Sequence, residues 1–200
     1  MQDIIKSLRA GISIGNTLDA FDKSIKISDA PDKTETSWGN PVITQELVDA
    51  YIEAGLNVIR IPVTWTGHFG DAPDYTIEEA WLKRVKEVVD YAYKRGAYAI
   101  LNLHHEDWNY PYYENEERAC IIMTALWSQL AAEFAAYDEH LIFEGQNEPR
   151  KVGTPLEWNG GDEEGWAVVN STNAAFVNTV RQGTGYNKSR FLKIPGYAAN

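Results

Sequence analysis

An α/β fold built on a parallel sheet is what the order of apolar runs predicts, and three observations lead there. Strand-like apolar runs alternate with helical patterns along the whole chain. Within those runs apolar residues stand at consecutive positions, the mark of strands covered on both faces by helices. Polar residues then cluster at or near the C-terminal part of several different runs: Asn16, Arg60, His104, His105, Asn147 and Glu148. A doubly wound open sheet would satisfy the first two observations. No glycine-rich phosphate fingerprint follows any strand, however, and a barrel gathers residues from many strands on one face. The expected fold is a (β/α)8 TIM barrel, of which residues 1–200 supply about the first five β/α units as one domain.

Each element has its own justification. After a short amphipathic opening, "GISIGNTLDA" predicts a first strand over Ile12 to Leu18. The stretch from Asp19 to Pro41 is polar and long, which inside a compact domain points to function or disorder. Thr44 then reads as an N-cap, with Leu47, Val48 and Ile52 on one helical face. "NVIRIPVTW" predicts a second strand from Asn57 to Trp65. Thr76 is expected to cap a long helix whose stripe is Trp81, Leu82, Val85, Val88, Val89 and Ala92, closed at Gly96. "AYAILNLHH" predicts the third strand, Glu117 to Tyr137 the next helix, and "LIFEGQNEP" the fourth strand. A further helix over roughly Gly165 to Arg181 and a fifth strand from Phe191 to Ala199 complete the pattern.

Composition excludes several classes of partner. The chain is 44% hydrophobic and 12% aromatic, a globular balance. Eighteen Lys+Arg against 29 Asp+Glu leave a formal charge of −11. Nucleic acid requires a basic face and anionic membrane surfaces attract one, so neither is expected. Neutral polymers such as polysaccharides remain open. The single cysteine, Cys120, lies in "ACIIMTALW" and reads as an inert core residue that excludes an intramolecular disulfide. No signal peptide and no spanning stretch are read from the sequence.

Glu148 is the first candidate for chemistry. A glutamate at the end of a buried strand needs a partner or a task. A general acid working near neutral pH needs its proton held by partial burial. Asn147 beside it can donate to a substrate hydroxyl, provided the strand has ended or bulged there, because neighbours on a regular strand face opposite ways. Glu144 lies four residues earlier, about 13 Å away at roughly 3.3 Å per residue. Retaining glycosidases need carboxyls about 5–5.5 Å apart and inverting ones about 6.5–9.5 Å, so these two are not a catalytic pair. Glu144 is expected inside the barrel, paired with Arg60, whose apolar flanks require a buried partner.

His104 and His105 end the third strand. As neighbours on a strand they would point to opposite sides, poor geometry for one metal, and hydrogen bonding to a polar substrate is expected ahead of metal binding. Seven tryptophans and eleven tyrosines need sorting. Trp81 and Trp127 fall in helical stripes and belong to the core. Trp38, Trp65, Trp108, Tyr110, Tyr112 and Tyr113 fall in loops or at strand ends, on the presumed functional face, where rings stack on the apolar faces of sugars.

Taken in order, "GISIGNTLDA", "ETSWGNP", "GLNVIRIPVTW", "LNLHHE", "LIFEGQNEP" and "IPGYAAN" resemble successive signatures of glycoside hydrolase family 5. The likeness is closest to its bacterial and anaerobic-fungal endoglucanases, a branch that includes xyloglucanases. It implies a (β/α)8 barrel that cleaves β-1,4-glucans with retention, without metal or cofactor. It implies that Glu148 is the acid/base and that Asn147 contacts the 2-hydroxyl beside the scissile bond. Arg60 and His104 would support the nucleophile and the central sugars, with His105, Asn16 and Trp38 towards the non-reducing end. The family's nucleophile, on the seventh strand, has no counterpart in residues 1–200, nor do the His-x-Tyr pair and the eighth-strand tryptophan. The chain is thus expected to be the N-terminal part of a secreted enzyme, with its sheet edges completed by a second polypeptide or by further copies. Two other readings remain: a non-catalytic glucan-binding module, and a barrel enzyme using Asp19, Glu106 or Asp107 as the second carboxylate. Cellulose, mixed-linkage glucan, xyloglucan and mannan all remain open as substrates.

Overall fold

The computed structural model describes residues 2–25 and 29–199. In chain order the elements are α1 (Gln2–Ser7), β1 (Ala10–Ser13), α2 (Pro31–Glu35), α3 (Gln45–Glu53), β2 (Leu56–Ile61), α4 (Glu79–Tyr93), β3 (Tyr98–Asn102), α5 (Tyr113–Glu133), β4 (Leu141–Glu144), α6 (Glu163–Gln182) and β5 (Leu192–Lys193). The five strands form one sheet in the order β1-β2-β3-β4-β5, and every pairing is parallel. Consecutive strands pair with each other and a helix intervenes after each of β2, β3 and β4, as in the successive units of a (β/α)8 barrel.

Burial explains the consecutive apolar residues. Ile59, Ile61, Ala99, Leu101, Leu141 and Phe143 are all buried, under the stripes of the covering helices. On α4 these are Trp81, Val85, Val88, Val89 and Ala92; on α5 they are Ala119, Ile122, Met123, Leu126, Trp127 and Leu130. The Trp127 ring ties three layers together, with centroids 4.9 Å from Phe143 on β4 and 4.6 Å from Phe176 on α6. Two glycines are required by close approach. A Cβ on Gly11 would meet the Val58 carbonyl oxygen at 2.8 Å, and one on Gly145 would meet the Phe176 ring at 2.6 Å.

Several expected boundaries move, each for a local reason. Every strand is shorter than its apolar run. After Ile61 the chain leaves the ladder, because the Val63 N–H turns to the Asn102 side chain and the Thr64 N–H to the Leu18 carbonyl. Val63, Trp65 and Leu103 are buried all the same, so hydrophobicity outlasts strand pairing. The fifth run stops at Lys193 and becomes a turn, Tyr197–Ala199, beyond Pro195. Thr44 caps α3 as expected, its hydroxyl accepting from the Leu47 N–H at 3.3 Å. The cap of α4 is Glu78, whose carboxylate accepts from the Trp81 N–H, and not Thr76. The helix expected from Glu117 starts at Tyr113 and ends at Glu133.

The polar stretch Asp19–Pro41, within which 26–28 lie outside the described residues, contains α2 and a buried anchor. Glu35 is fully buried and accepts from both Nε and Nη2 of Arg84, each at 2.9 Å, and from the Ile43 N–H. Burial pulls the Arg84 guanidinium down, but the bonds to Glu35 and Glu87 outweigh it and hold it above its usual range. Cys120 is half-buried, not a core residue, and burial raises its thiol above the ordinary value.

Candidate active site

The C-terminal ends of β2, β3 and β4 converge on one cleft of about 270 Å³, lined by His104, His105, Asp107, Tyr110, Glu148 and Arg150 among others. An arginine–glutamate ion pair joins two of these strands. Arg60, on β2, grips Glu144, on β4, through Nε to Oε2 at 2.7 Å and Nη2 to Oε1 at 2.9 Å. Lys193 adds a second cation 3.2 Å from Oε1. The pair foreseen between Glu144 and Arg60 is therefore present, and Glu144 is fully engaged by cations.

The same guanidinium orients the next segment. Arg60 Nη2 donates to Asn147 Oδ1 at 2.8 Å, and Nη1 to Ser13 Oγ at 3.3 Å. Because Asn147 accepts through Oδ1, its Nδ2 is the group left to donate. The ladder ends at Glu144, so strict alternation no longer applies, and Asn147 and Glu148 need not face opposite ways. Gln146 fixes this exit: fully buried, it donates to Thr172 Oγ1 and Asn173 Oδ1 on α6 and accepts from Asn109. Glu148 itself is half-buried, its side chain 38% exposed, and lines the cleft.

The two histidines correct the strand argument. β3 ends at Asn102, so His104 and His105 follow a loop path and their rings meet edge to face at 4.4 Å. Both Nε2 atoms lie 3.7 Å from Asp19 Oδ2, and the three side chains converge within metal-chelating range. The hydrogen-bond pattern gives His104 another job. Asn102 accepts from the Val63 N–H through Oδ1, so it must donate through Nδ2 to His104 Nδ1, at 3.0 Å. His104 Nε2 then carries the hydrogen and presents a donor, not a lone pair, to the cleft and Asp19. Burial, with help from His105 and Arg60, depresses His104 to about 3, so the ring is neutral. Burial also lowers His105, against the pull of Asp19.

Trp38 joins this group from the long loop. It is 46% exposed, its Nε1 donates to the Phe21 carbonyl, and its ring lies 5.5 Å from that of His105. Asn16 sits exposed at the turn after β1 in the left-handed region, φ 59°, with its carbonyl held by Asn40. No hydrogen bond ties its side chain to the other candidates among the described residues.

Three expectations about the rim are overturned. Trp65 and Trp108 are fully buried and donate inward, to the Asn102 carbonyl and to Glu106 Oε2, so neither is a stacking surface. Glu106 is not a spare carboxylate. It accepts from the N–H groups of Trp65 and Thr66, the Thr66 hydroxyl and the Trp108 indole, although burial pushes it up to about 7. Asn102 and Gln146, which position the histidines and the Asn147–Glu148 segment, were missed. A polar residue inside an apolar run, as in "AILNLHH", was the available signal.

Residues 18–200 match the sequence profile described as Cellulase (glycosyl hydrolase family 5). Among curated relatives, the chain is 55% identical over 199 residues to "Endoglucanase B" of Neocallimastix patriciarum, covering 99% of this chain and 42% of that protein. It is 47% identical to "Endoglucanase A" of Ruminococcus albus, covering 99% of this chain and 53% of the relative. Among solved structures, a broad-specificity GH5-4 endoglucanase from Ruminococcus champanellensis with bound cellotriose superposes with a TM-score of 0.96 at 46% identity, covering 98% of this chain and 57% of that one. A xyloglucan-specific endo-β-1,4-glucanase from a metagenomic library, also with cellotriose, gives 0.94 at 47%, covering 100% and 58%. The chain spans about half the length of the curated relatives it matches.

Proposed function

This chain belongs to the cellulase family, glycosyl hydrolase family 5, and from that membership we propose that it forms part of the single catalytic domain of a retaining endo-β-1,4-glucanase. In this reading Glu148 protonates the glycosidic oxygen as the leaving chain departs, then takes a proton from the water that releases the glycosyl-enzyme. Asn147, with Oδ1 tied to Arg60, turns its Nδ2 toward the sugar 2-hydroxyl. Arg60 and neutral His104 orient the central sugar, and His105, Asn16 and Trp38 receive the sugars toward the non-reducing end. The observation that carries the reading is the placement of Glu148: a half-buried carboxyl in a cleft, one residue from an asparagine that an ion-paired arginine orients.

Within residues 1–200 Glu144 and Glu106 are committed to other partners, so we assign the nucleophile to the seventh-strand glutamate that the family pattern implies. No metal or cofactor enters this mechanism. The substrate proposed is a β-1,4-glucan chain, since similar enzymes are described with cellotriose. Xyloglucan and mixed-linkage glucan are the nearest alternatives, because a xyloglucan-specific enzyme and a lichenase stand among the similar structures; mannan is a further one. Secretion, with these polymers as extracellular substrates, follows from the same reading.

The test is an assay of reducing ends released from soluble β-glucan, by residues 1–200 and by the full-length protein, each beside Glu148→Gln. The reading expects turnover in the full-length parent and its loss in the mutant. Turnover that survives the substitution removes Glu148 from the mechanism. Retained binding without turnover in every form assigns the chain to glucan binding alone.

A further inference from the structure

Two residues beyond Glu148, Arg150 is held by four contacts at once. Its Nη1 donates to the Glu148 carbonyl at 3.0 Å and lies 3.5 Å from Glu148 Oε2. Its Nε donates to Glu157 Oε1 at 3.0 Å, and its Cζ stacks 4.2 Å over the Trp158 ring. Glu157 is itself fixed, because its other oxygen accepts from the Gly153 N–H at 2.8 Å. That bond first, and Arg150 next, keep the Glu157 carboxyl below its usual range, so it is a standing negative charge. Lys151, the neighbouring cation, is turned away to Asp162 and Glu164 and under the Tyr112 ring.

An arginine this close to a carboxyl poses a problem for an acid. A cation within about 4–6 Å favours the ionised form and would strip the proton a general acid must carry. We propose that Arg150 is a positioning residue for Glu148 and that Glu157 is its counter-charge, so that the guanidinium holds the Glu148 backbone and carboxyl in place while its field is largely cancelled. Trp158 covers one face of the guanidinium and keeps it from swinging into solvent. The charged and titratable groups that line the cleft with this pair are Lys23, His104, His105, Glu106, Asp107 and Tyr110. His105 feels both members, lowered by Arg150 and raised by Glu148, so it opposes neither sign of the expected effect.

For its effect on rate the proposal rests on Glu148 acting as acid/base, but its test does not. The 200-residue chain is prepared with carboxyl-labelled glutamate, and the Glu148 signal is identified by its loss in Glu148→Gln. Its titration is then followed by carbon NMR in the parent, Glu157→Gln, Arg150→Met and the double variant. Removing the counter-charge exposes Glu148 to the bare guanidinium, so Glu157→Gln moves the Glu148 midpoint down by roughly half a pH unit or more. Arg150→Met moves it up. In the Arg150→Met background the Glu157 substitution still lowers the midpoint, because the fields of two fixed charges add, so the double variant lies between the two single ones. An unmoved or raised midpoint in Glu157→Gln overturns the proposal, as does a lowered midpoint in Arg150→Met. If Arg150→Met does not fold, the sign in Glu157→Gln decides alone. Where hydrolysis is measurable, the alkaline limb of the rate profile follows the same signs. A shifted midpoint in a protein that hydrolyses no glucan supports this assignment while removing the proposed function; hydrolysis without a shift does the reverse.

Discussion

Arg60 and Arg190 both press against β4, at opposite ends, and opposite chemistry holds them. Arg60 stands at the C-terminal rim, bidentate on the Glu144 carboxylate, with one further donor reaching Asn147. Arg190 lies at the N-terminal end, fully buried, and forms no ion pair among the described residues. It donates to the carbonyls of Phe134, Tyr137, Asp138 and Leu141 and to Asn187 Oδ1, with its plane 4.5 Å from the Phe143 ring. Burial lowers it to about 10, which still leaves it charged at neutral pH. One arginine thus gathers loop ends that carry polar side chains into a cleft, and the other closes the turn before a strand. In barrels the first end reads as chemistry and the second as stability.

The widest separation of the two ends comes from Glu148→Gln. A lost general acid/base costs about 100- to 10,000-fold in rate. Urea unfolding of the same variant should stay within about 0.5 kcal/mol of the parent, because the side chain is part-exposed. Unfolding that tracks the activity loss would mean that Glu148 is structural.

Arg190→Met comes next and inverts the pattern. It removes the donor shared by four carbonyls and one amide oxygen in the interior, of which the Phe134 and Asp138 carbonyls keep the Tyr137 and Leu141 N–H groups, and should cost about 3–5 kcal/mol of stability. Cello-oligosaccharide affinity, measured by calorimetry below the unfolding transition, should remain. Arg60→Met falls between the two. Glu144 keeps Lys193, and the Arg60 side chain is 21% exposed, so the stability loss should be smaller, about 2–3 kcal/mol after allowance for solvent. Oligosaccharide binding should fall out of proportion, because Asn147 loses its orienting partner. Equal binding losses in Arg60→Met and Arg190→Met would erase the distinction between the two ends.

The two ends were also unequally legible in the sequence. At the rim, a charge within an apolar run announces itself: Arg60 in "VIRIPV", Glu144 in "LIFEG" and the histidines of "LNLHH" had to be paired or functional, and the Arg60–Glu144 partnership followed from the need to neutralise both. Arg190 sits in "NKSRFLK", an ordinary polar turn to the eye, because backbone carbonyls are its partners and carbonyls leave no trace in a sequence. The Glu35–Arg84 anchor was hidden similarly, 49 residues apart and each in polar surroundings. Trp65 and Trp108 misled in the other direction. Their positions near strand ends suggested exposure, whereas the buried partners that draw them in, the Asn102 carbonyl and Glu106, are fixed only by tertiary packing.

The smallest effect sharpens the account of the rim itself. His104 at the cleft and His68 beneath α2 enter the fold neutral, burial lowering them to about 3 and about 4, while an unfolded chain titrates near 6.5. Between those values the unfolded state binds the more protons, so stability is fully present above about pH 6.5 and declines as pH falls toward 4. Each histidine should account for about 1–2 kcal/mol between pH 7 and pH 5, since a tenfold change in proton activity is worth about 1.36 kcal/mol per proton bound. His104→Asn removes one share, so its urea midpoint should fall less steeply with acid than the parent's, even though its stability at pH 7 is lower. His68 stacks on Trp81 at 3.8 Å and keeps its share in His104→Asn, where His105, also lowered by burial, adds to the acid slope and Glu106, raised to about 7, opposes it. An unchanged slope in that variant would mean that His104 takes up a proton within the fold, and the donor assigned to its Nε2 would then no longer follow from a neutral ring.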